Sequence, residues 1–453
     1  MWGFILDKKS SKAVLVGIAG SNNAFSLSIY NLKAFAYNDP AIRDQWDISI
    51  IQHPLINVNR KDIEILPLIN RIVNAKPNLV GFSCYMWNVN VFGEIAQTLR
   101  KRIPKVKIMW GGSEMSSDYL AQGKFDKLEM DFCVSGEGEV TFQEFLRNQA
   151  FGVPGLSSIS GLAYRQSTAE PFKINPKREA LARLHDVPSP FLTGVVDDEV
   201  LLRPKVEANI ETQRGCNLRC SYCTYHKDMD KITYSSLERV VNEVVYLVNK
   251  GVRRVRFVDA NFSSDLNYSK EIIRAFIQKR FELRLMFELI PGFFDEELAA
   301  LFEEFSNLHP WNDITLGVGV QSIKLETNKA MRRGIKIEKF DQTFELIKKH
   351  NLFAKIDLII GLPGENLIDI EASLEYMMEK VRFGQGHLLC FHVLRGLPGT
   401  ELLEIAQKRK MIFSSKHEPH VFVESPDLPR KDMLKCLRRT AVVFRLTNHR
   451  GWA

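Results

Sequence analysis

No stretch of the 453-residue chain reaches the roughly 18 consecutive apolar residues that a membrane-spanning helix needs. The opening MWGFILDKKSSK lacks a long apolar stretch followed by a small-residue cleavage site, so no secretory leader is expected and a cytoplasmic location is. No low-complexity tract interrupts a composition of 45% hydrophobic and 25% charged residues, which is that of a globular protein with room for two or three domains. No sign of charge dominates either. With 61 Lys and Arg against 54 Asp and Glu, the net +7 is too small and scattered for nucleic acid, but suits an acidic protein partner or an anionic substrate. Cysteine is scarce, and its 7 residues form no disulfide framework, as in a reducing compartment. Cys84, Cys133 and Cys390 fall in apolar, strand-like runs where a buried free thiol is expected, and Cys436 falls on a helical pattern.

What is present is an alternation that runs twice. From residue 12, β-branched runs alternate with helical periodicity. KAVLVGIAG precedes a helix near Ser26–Ala36, WDISIIQHP precedes KDIEILPLINRIVNAK, and NLVGFSCYMW precedes VFGEIAQTLRKRI. KVKIMWGGS with SDYLAQG and MDFCVSGEGE with VTFQEFLRN complete the series. Five such units predict a doubly wound parallel sheet over residues 1–150. Ligands bind beyond the carboxyl ends of such strands. Gly17, Gly20, Gly81, Gly111, Gly112, Gly136 and Gly138 collect there, as turn residues or as places where the backbone closes on a bulky ligand. Residues 151–205, with VPGLSSISG and DVPSPF, read as a linker holding a small hairpin around GLAYRQ.

The alternation restarts at ANIETQRG. Six strand–helix units over residues 206–405 predict a partial (β/α)6 barrel with its active site at the strand carboxyl ends. The first barrel helix, in SSLERVVNEVVYLVNKG, is expected to open on Ser235, with Glu238 completing a capping box. Residues 406–453 read as a C-terminal helical extension, RKDMLKCLRRTAVVFRL, with a tail ending NHRGWA.

Residues 213–227 read QRGCNLRCSYCTYHK, three cysteines spaced C-x3-C-x2-C. Inert buried thiols do not suit a loop carrying Arg214, Asn217, Arg219, Ser221 and Lys227. Zinc is one reading, since His226 follows Cys223 at C-x2-H spacing and makes Cys3His available. An iron–sulfur cluster is the other: three thiolates bind three irons of a [4Fe–4S] cube and leave the fourth open. Basic neighbours favour the thiolate form. Position after the first strand of a barrel, where catalytic sites lie, favours the cluster.

Cys216, Cys220 and Cys223, with aromatic Tyr222 before the last, resemble the signature of the radical S-adenosylmethionine (SAM) superfamily. The N-terminal α/β domain is similar to the cobalamin-binding domains of its B12-dependent class, and the resemblance spans about residues 10–410. It implies a [4Fe–4S] cluster on the three cysteines, with SAM chelating the open iron through its amino and carboxylate groups. The family's second-strand Gly-Gly-Glu is replaced by VDANF, which nominates Asp259 and Asn261 for the SAM amino group. GVGVQS nominates Gln321 and Ser322 for the SAM ribose and carboxylate, and NKAMRRG nominates Arg333 for a bidentate pair with the carboxylate. IDLIIGLPGE nominates Ile359, Gly361 and Leu362, and RGLPGTEL nominates Pro398, for the adenine. Tyr222 joins the SAM set, and Glu288 on the third strand is a SAM or substrate contact, since a buried glutamate needs a partner.

For cobalamin, the resemblance nominates Ser83, Gly111, Gly112, Gly136, Glu137 and Gly138. The loop Tyr85-Met86-Trp87 is the candidate for the lower corrin face. No Asp-x-His-x-x-Gly supplies a histidine ligand, and His53 sits directly before Pro54. The implied function is reductive SAM cleavage and cobalamin-dependent methylation of an unactivated carbon of a small-molecule or natural-product substrate. A flavodoxin or ferredoxin would donate the electron. The alternatives are SAM chemistry without methyl transfer, on a structural first domain, and a zinc-stabilised cobalamin carrier or sensor. Methylthiolation is not expected, because no further cysteine set exists for a second cluster.

Overall fold

The computed structural model describes residues 11–57, 60–225, 227, 229, 231–382, 387–414 and 420–447. His226 and the NHRGWA tail lie outside them. The chain forms two compact units, Met1–Val206 and Glu207–Ala453.

The first unit is built on a seven-stranded sheet. Strands β1 (Ser11–Ile18), β2 (Trp46–His53), β3 (Leu79–Ser83), β4 (Lys107–Gly111) and β5 (Phe132–Val134) run parallel in the order β2-β1-β3-β4-β5. The hairpin expected in the linker is real and joins this sheet: β6 (Leu162–Tyr164) pairs antiparallel with β5, and β7 (Lys173–Ile174) with β6. Continuous apolar runs such as SKAVLVGI, buried from Ala13 to Ile18, are what a sheet covered on both faces demands. Between the sheet and its helices, Phe82 stacks on Phe92 at 4.6 Å and meets Trp110 edge-on at 5.6 Å. Strand order reverses between β1 and β3, the switch point at which ligand crevices form.

In the second unit, β8 (Glu207–Ile210) leads through the short antiparallel ribbon β9 (Gln213–Arg214) and β10 (Thr233–Tyr234) to the rest of an open parallel sheet. Its further strands are β11 (Arg254–Phe257), β12 (Arg284–Leu289), β13 (Asp313–Gln321), β14 (Phe353–Ile360) and β15 (Leu388–Val393). They lie in strict sequence order, so right-handed crossovers put every connecting helix on the same face. That face is packed by Phe257, Phe262, Phe287 and Phe302, whose successive ring centroids lie 4.1–5.6 Å apart. The opposite face carries polar side chains.

The helix Leu237–Asn249 is capped by Ser236, whose hydroxyl accepts from Arg239 N at 3.2 Å, and not by Ser235. Serine occupies both positions, and Ser235 is instead tied to Thr212, its N–H donating to that carbonyl at 2.8 Å. Strands β16 (Ile412–Phe413) and β17 (Phe422–Glu424) form a second ribbon. The helix Arg430–Thr447 buries Met433, Cys436, Thr440 and Val443 along one side, against the helix Leu367–Arg382 and β15.

Candidate functional site

The three-cysteine loop is pinched at its base by β9 and β10, where Arg214 faces Thr233. Gly215 permits the entry turn: its φ is +99°, and a Cβ there would lie 3.0 Å from Lys231 O. Arg214 is fixed by a two-pronged ion pair to Glu211, 2.9 and 3.0 Å. Backbone amides already point at sulfur, with Leu218 N 3.4 Å from Cys216 Sγ and Tyr225 N 3.5 Å from Cys223 Sγ. Burial, the largest influence, raises the pKa of Cys216 and pushes that of Cys223 up to about 11, and the charge of Cys220 raises both. Burial thus opposes thiolate formation here, while Arg333 and, for Cys216, Arg219 favour it, and the cations of a metal–sulfur centre would favour it further. Among the described residues no three His, Cys, Asp or Glu side chains converge on one metal-ion position. The Cys3His reading needs His226, which lies outside the described residues.

Other strand ends reach this loop. Ser221 N donates to Met331 O at 3.1 Å, and Leu402 N donates to Ser221 O at 2.9 Å. Lys227 Nζ donates to Pro398 O at 3.4 Å, and Asn217 Nδ2 to Ser264 O at 3.3 Å. Arg333 also reaches the cysteines: its Nη1 is 3.8 Å from Cys220 Sγ and 3.4 Å from the Tyr222 hydroxyl, and Nη2 donates to Gly319 O. Gln321 ends β13 at a register shift, with φ of +68°, a left-handed conformation that a non-glycine residue adopts at some cost. A Cβ on Gly319 would come within 2.6 Å of Gln321 Nε2 and 3.2 Å of Arg333 Nη2, so both side chains lie over that glycine. Gln321 Oε1 and Arg333 Nε are buried without a hydrogen-bond partner among the described residues. One orphan acceptor and one orphan donor, on side chains that share the space over Gly319, with Arg333 also reaching Cys220, fit the ammonium and carboxylate of an α-amino acid moiety such as that of SAM.

Other nominated residues have structural employment. Asp259 is fully buried and accepts from Thr212 N (2.8 Å), Thr212 Oγ1 (2.6 Å) and Gln213 N (3.0 Å), which fixes the strand end leading to the cysteines. Asn261 Oδ1 accepts from Ile290 N at 3.1 Å while its Nδ2 approaches Asn217 Oδ1 at 3.4 Å. Ser322 donates its hydroxyl to Glu365. Gly361 has φ of +94°, and a Cβ there would meet the Phe422 ring at 2.3 Å, so close packing on β17 also demands this glycine. Leu362 and Pro398 are buried, and Ile359 is half-buried on the polar face of β14. Truncating Asp259 strands three buried donors, so Asp259→Ala is expected to destabilise the protein by about 3 kcal/mol or more. Chemical denaturation checks this, and a loss below about 1 kcal/mol would contradict the pinning role.

The polar face holds side chains that periodicity hid. Glu288 on β12 leans over Gly317, where a Cβ would be 2.2 Å from its Oε2. Arg256 Nη1 lies 3.9 Å from Glu288, and Arg256 Nε donates to Glu207 at 2.7 Å. Opposite Gly317 and Gly319 on β14 stand Lys355 and Asp357. Asp357 joins Lys355 Nζ at 2.9 Å and His392 Nε2 at 2.7 Å. Burial alone would raise the pKa of Asp357, but the His392 hydrogen bond and the Lys355 charge hold it below the usual carboxylate range. An ionised carboxylate only accepts, so His392 Nε2 is the donor in this bond. Cys390, expected to be buried, is half-buried on this same face beside Asp357.

Glu365 is a second titration site. Burial pushes its carboxyl up to about 8, helped by Asp369 and opposed by the Ser322 hydrogen bond and Lys324. Between 4.5, the ordinary value, and about 8 the native state keeps a proton that the unfolded chain has released. Stability therefore falls as pH rises through that window. Glu365→Gln, which fixes the neutral form, is expected to melt near wild type at pH 5 and above it at pH 8. Parallel melting-temperature profiles for the two proteins would contradict this.

In the first unit, a partly open cavity lies at the switch point; with the open solvent at its mouth it spans about 640 Å³. Among its lining residues are Ser83, Gly111, Gly112, Gly136 and Gly138. Ser28, Leu32, Glu139 and Phe142 also line it, contributed by two helices that strand-end motifs do not report. The Ser28 and Ser83 hydroxyls are 2.8 Å apart. Gly112, with φ of +108°, lets the chain pass Cys84 O, which a Cβ would approach to 2.5 Å. Glu137 points away, accepting from Leu181 N. Tyr85 and Trp87 stack at 4.5 Å with 3° between their planes, and Trp87 Nε1 donates to Ile18 O at 3.0 Å. They form a flat aromatic platform beside Gly20, with Trp87 40% exposed. His53 Nδ1 bonds the neighbouring Pro54 O at 2.8 Å. A partly open cleft with hydroxyl groups at one edge and an aromatic shelf in the same unit suit a large, flat, amphipathic cofactor that is only partly enclosed.

Fold and site define a class: a nucleotide-type α/β unit joined to a parallel half-barrel with a three-thiol loop. Residues 210–377 match the family model of the radical SAM superfamily, and residues 41–146 match that of the B12 binding domain. The chain therefore carries a radical SAM domain together with a B12-binding domain. It is 27% identical over 321 residues to the cobalamin-dependent radical SAM methyltransferase TokK of Streptomyces tokunonensis, covering 67% of this chain and 45% of that protein. It is 26% identical over 348 residues to the 2-(S-pantetheinyl)-carbapenam-3-carboxylate methyltransferase of Streptantibioticus cattleyicolor, covering 74% and 48%. The chain thus spans about half the length of the curated relatives it matches. Its fold matches the radical SAM methyltransferase TsrM of Kitasatospora setae, solved with tryptophan substrate and a SAM analog. There the TM-score is 0.68 at 20% identity, over 90% of this chain and 80% of that one.

Proposed function

We propose that this chain is a cobalamin-dependent radical SAM methyltransferase acting on an unactivated carbon of a small-molecule or natural-product substrate. The observation that carries the reading is the contact of the three-cysteine loop, through Cys220, with Arg333, whose Nε is an orphaned buried donor, while Gln321 Oε1 is an orphaned buried acceptor over the same glycine. When bound, a [4Fe–4S] cluster and cobalamin would supply the electron transfer that cleaves SAM and the methyl group. Cys216, Cys220 and Cys223 would hold the iron. Gln321 Oε1 would accept from the SAM ammonium, and Arg333 would meet its carboxylate. Asp259 and Asn261 would act by positioning the loop.

In the first unit the Ser28–Ser83 cavity would take the corrin's bulky side, with Tyr85 and Trp87 as a platform for the ring. Residues 1–150 would form the cobalamin-binding domain, 151–205 the linker, 206–405 the SAM barrel and 406–453 the extension. Lys355, Asp357, His392 and Glu288 would orient the substrate's polar groups on the open face of the sheet. An acidic flavodoxin or ferredoxin in the cytoplasm would deliver the electron, matching the +7 charge of the chain. Two substrates named for the relatives, a carbapenam carboxylate and tryptophan, are small molecules, which supports that substrate class.

The test is anaerobic reconstitution with iron and sulfide, followed by addition of hydroxocobalamin and desalting. Broad thiolate-to-iron absorption with retained corrin bands is expected. A cluster without retained corrin would contradict methyl transfer and leave SAM chemistry alone.

A further inference from the structure

Arg333 is a buried cation without a buried carboxylate. It is 7% exposed, and its electrostatic neighbours are Tyr222 and Cys220. Among the described residues no carboxylate reaches it, and Nε has no hydrogen-bond partner. An unpaired guanidinium in a protein interior carries a desolvation cost of several kcal/mol, so such a group needs an anion. The Gly319 carbonyl and the Tyr222 hydroxyl contribute only dipoles. The group within reach that becomes anionic when a cluster binds is sulfur: Nη1 lies 3.8 Å from Cys220 Sγ. The placement is built rather than incidental. A Cβ at 319 would crowd Nη2 at 3.2 Å, and the aromatic ring of Tyr222 sits between two of the cysteines in sequence with its hydroxyl 3.4 Å from Nη1.

We infer that Arg333 is the counter-cation of the iron–sulfur cluster, and that its charge beside Cys220 sets the potential at which the cluster accepts an electron. This rests on the reading that the three cysteines hold a cluster. Reduction adds one electron, taken from an external one-electron donor of the flavodoxin or ferredoxin type, and neither makes nor breaks a bond. The reduced cluster is more negative by one charge, so a fixed cation at its thiolate stabilises the reduced form more than the oxidised one. Net charge and hydrogen bonds to sulfur are established levers on such potentials. The role is separate from any grip on SAM, because it operates before SAM binds.

The experiment is an EPR-monitored reductive titration of the full-length reconstituted protein, without SAM or cobalamin, comparing wild type with Arg333→Gln and Arg333→Lys. Iron and sulfide are measured first. Their absence from wild type would overturn the cluster reading itself and this inference with it. With clusters loaded, Arg333→Gln is expected to lower the midpoint by at least 59 mV, a tenfold shift in the ratio of reduced to oxidised cluster. Arg333→Lys is expected to lie between the two. A wild-type midpoint in loaded Arg333→Gln would overturn the inference while leaving the cluster reading intact. If the glutamine variant loses iron and the lysine variant keeps it, the cluster's need for the positive charge is supported. Loss of iron from both would overturn it, since lysine retains the charge.

Discussion

Replacing any one of Cys216, Cys220 or Cys223 with alanine is expected to remove bound iron and sulfide and to bring SAM cleavage down to background. Two thiolates cannot hold three irons of a cube, and the described residues place no spare thiol on the loop. The remaining cysteines are elsewhere in the fold: Cys84 and Cys133 in the first unit, Cys390 on β15 and Cys436 on the final helix. The effect should be specific. Cys216 and Cys223 are only half-buried, so their loss should move the melting temperature of the metal-free protein little. Cys436→Ala, by contrast, opens a small cavity in a packed helix face, costs roughly 1 kcal/mol of stability and leaves the cluster in place. Full SAM turnover by a loop-cysteine variant would remove the basis of the whole reading.

The second large effect is expected in the other unit. Ser28 lines the switch-point cavity, with its hydroxyl 2.8 Å from Ser83 and 3.1 Å from Ser26. Ser28→Trp places an indole in that space. Corrin retained after desalting is expected to fall about tenfold or more, which corresponds to about 1.4 kcal/mol of binding free energy. Overpacking adds about 1–3 kcal/mol of destabilisation, so a melting curve must accompany the binding measurement. Iron and sulfide content should not change, because the cysteines belong to the second unit. Undiminished corrin retention in a folded variant would move the cofactor away from this cavity.

Much of this architecture was legible in the sequence because the information is local. Largely buried parallel strands such as SKAVLVGI and ITLGVGV announce themselves as apolar runs, and the C-x3-C-x2-C spacing needs no tertiary context. What stayed hidden depends on contacts between distant segments. VDANF nominates two polar side chains, but only the fold reveals that Asp259 serves Thr212 and Gln213, 47 and 46 residues earlier. Gly361 reads as a ligand glycine until Phe422, from a two-stranded ribbon that propensity does not signal, is seen against it. The row Glu288, Lys355, Asp357 and His392 comes from three strands, and register rather than composition aligns it. Serines at 235 and 236 are equivalent by propensity, and the hydrogen bond from Ser235 N to Thr212 O separates their roles.

The most direct test of the central claim is the EPR spectrum of the dithionite-reduced, reconstituted protein before and after SAM is added. If three cysteines hold a [4Fe–4S] cluster with one iron open, and Gln321 and Arg333 receive the amino acid end of SAM, the cluster signal shifts when SAM binds. A reduced [4Fe–4S] signal identical with and without saturating SAM, or no cluster signal at all, would contradict the account.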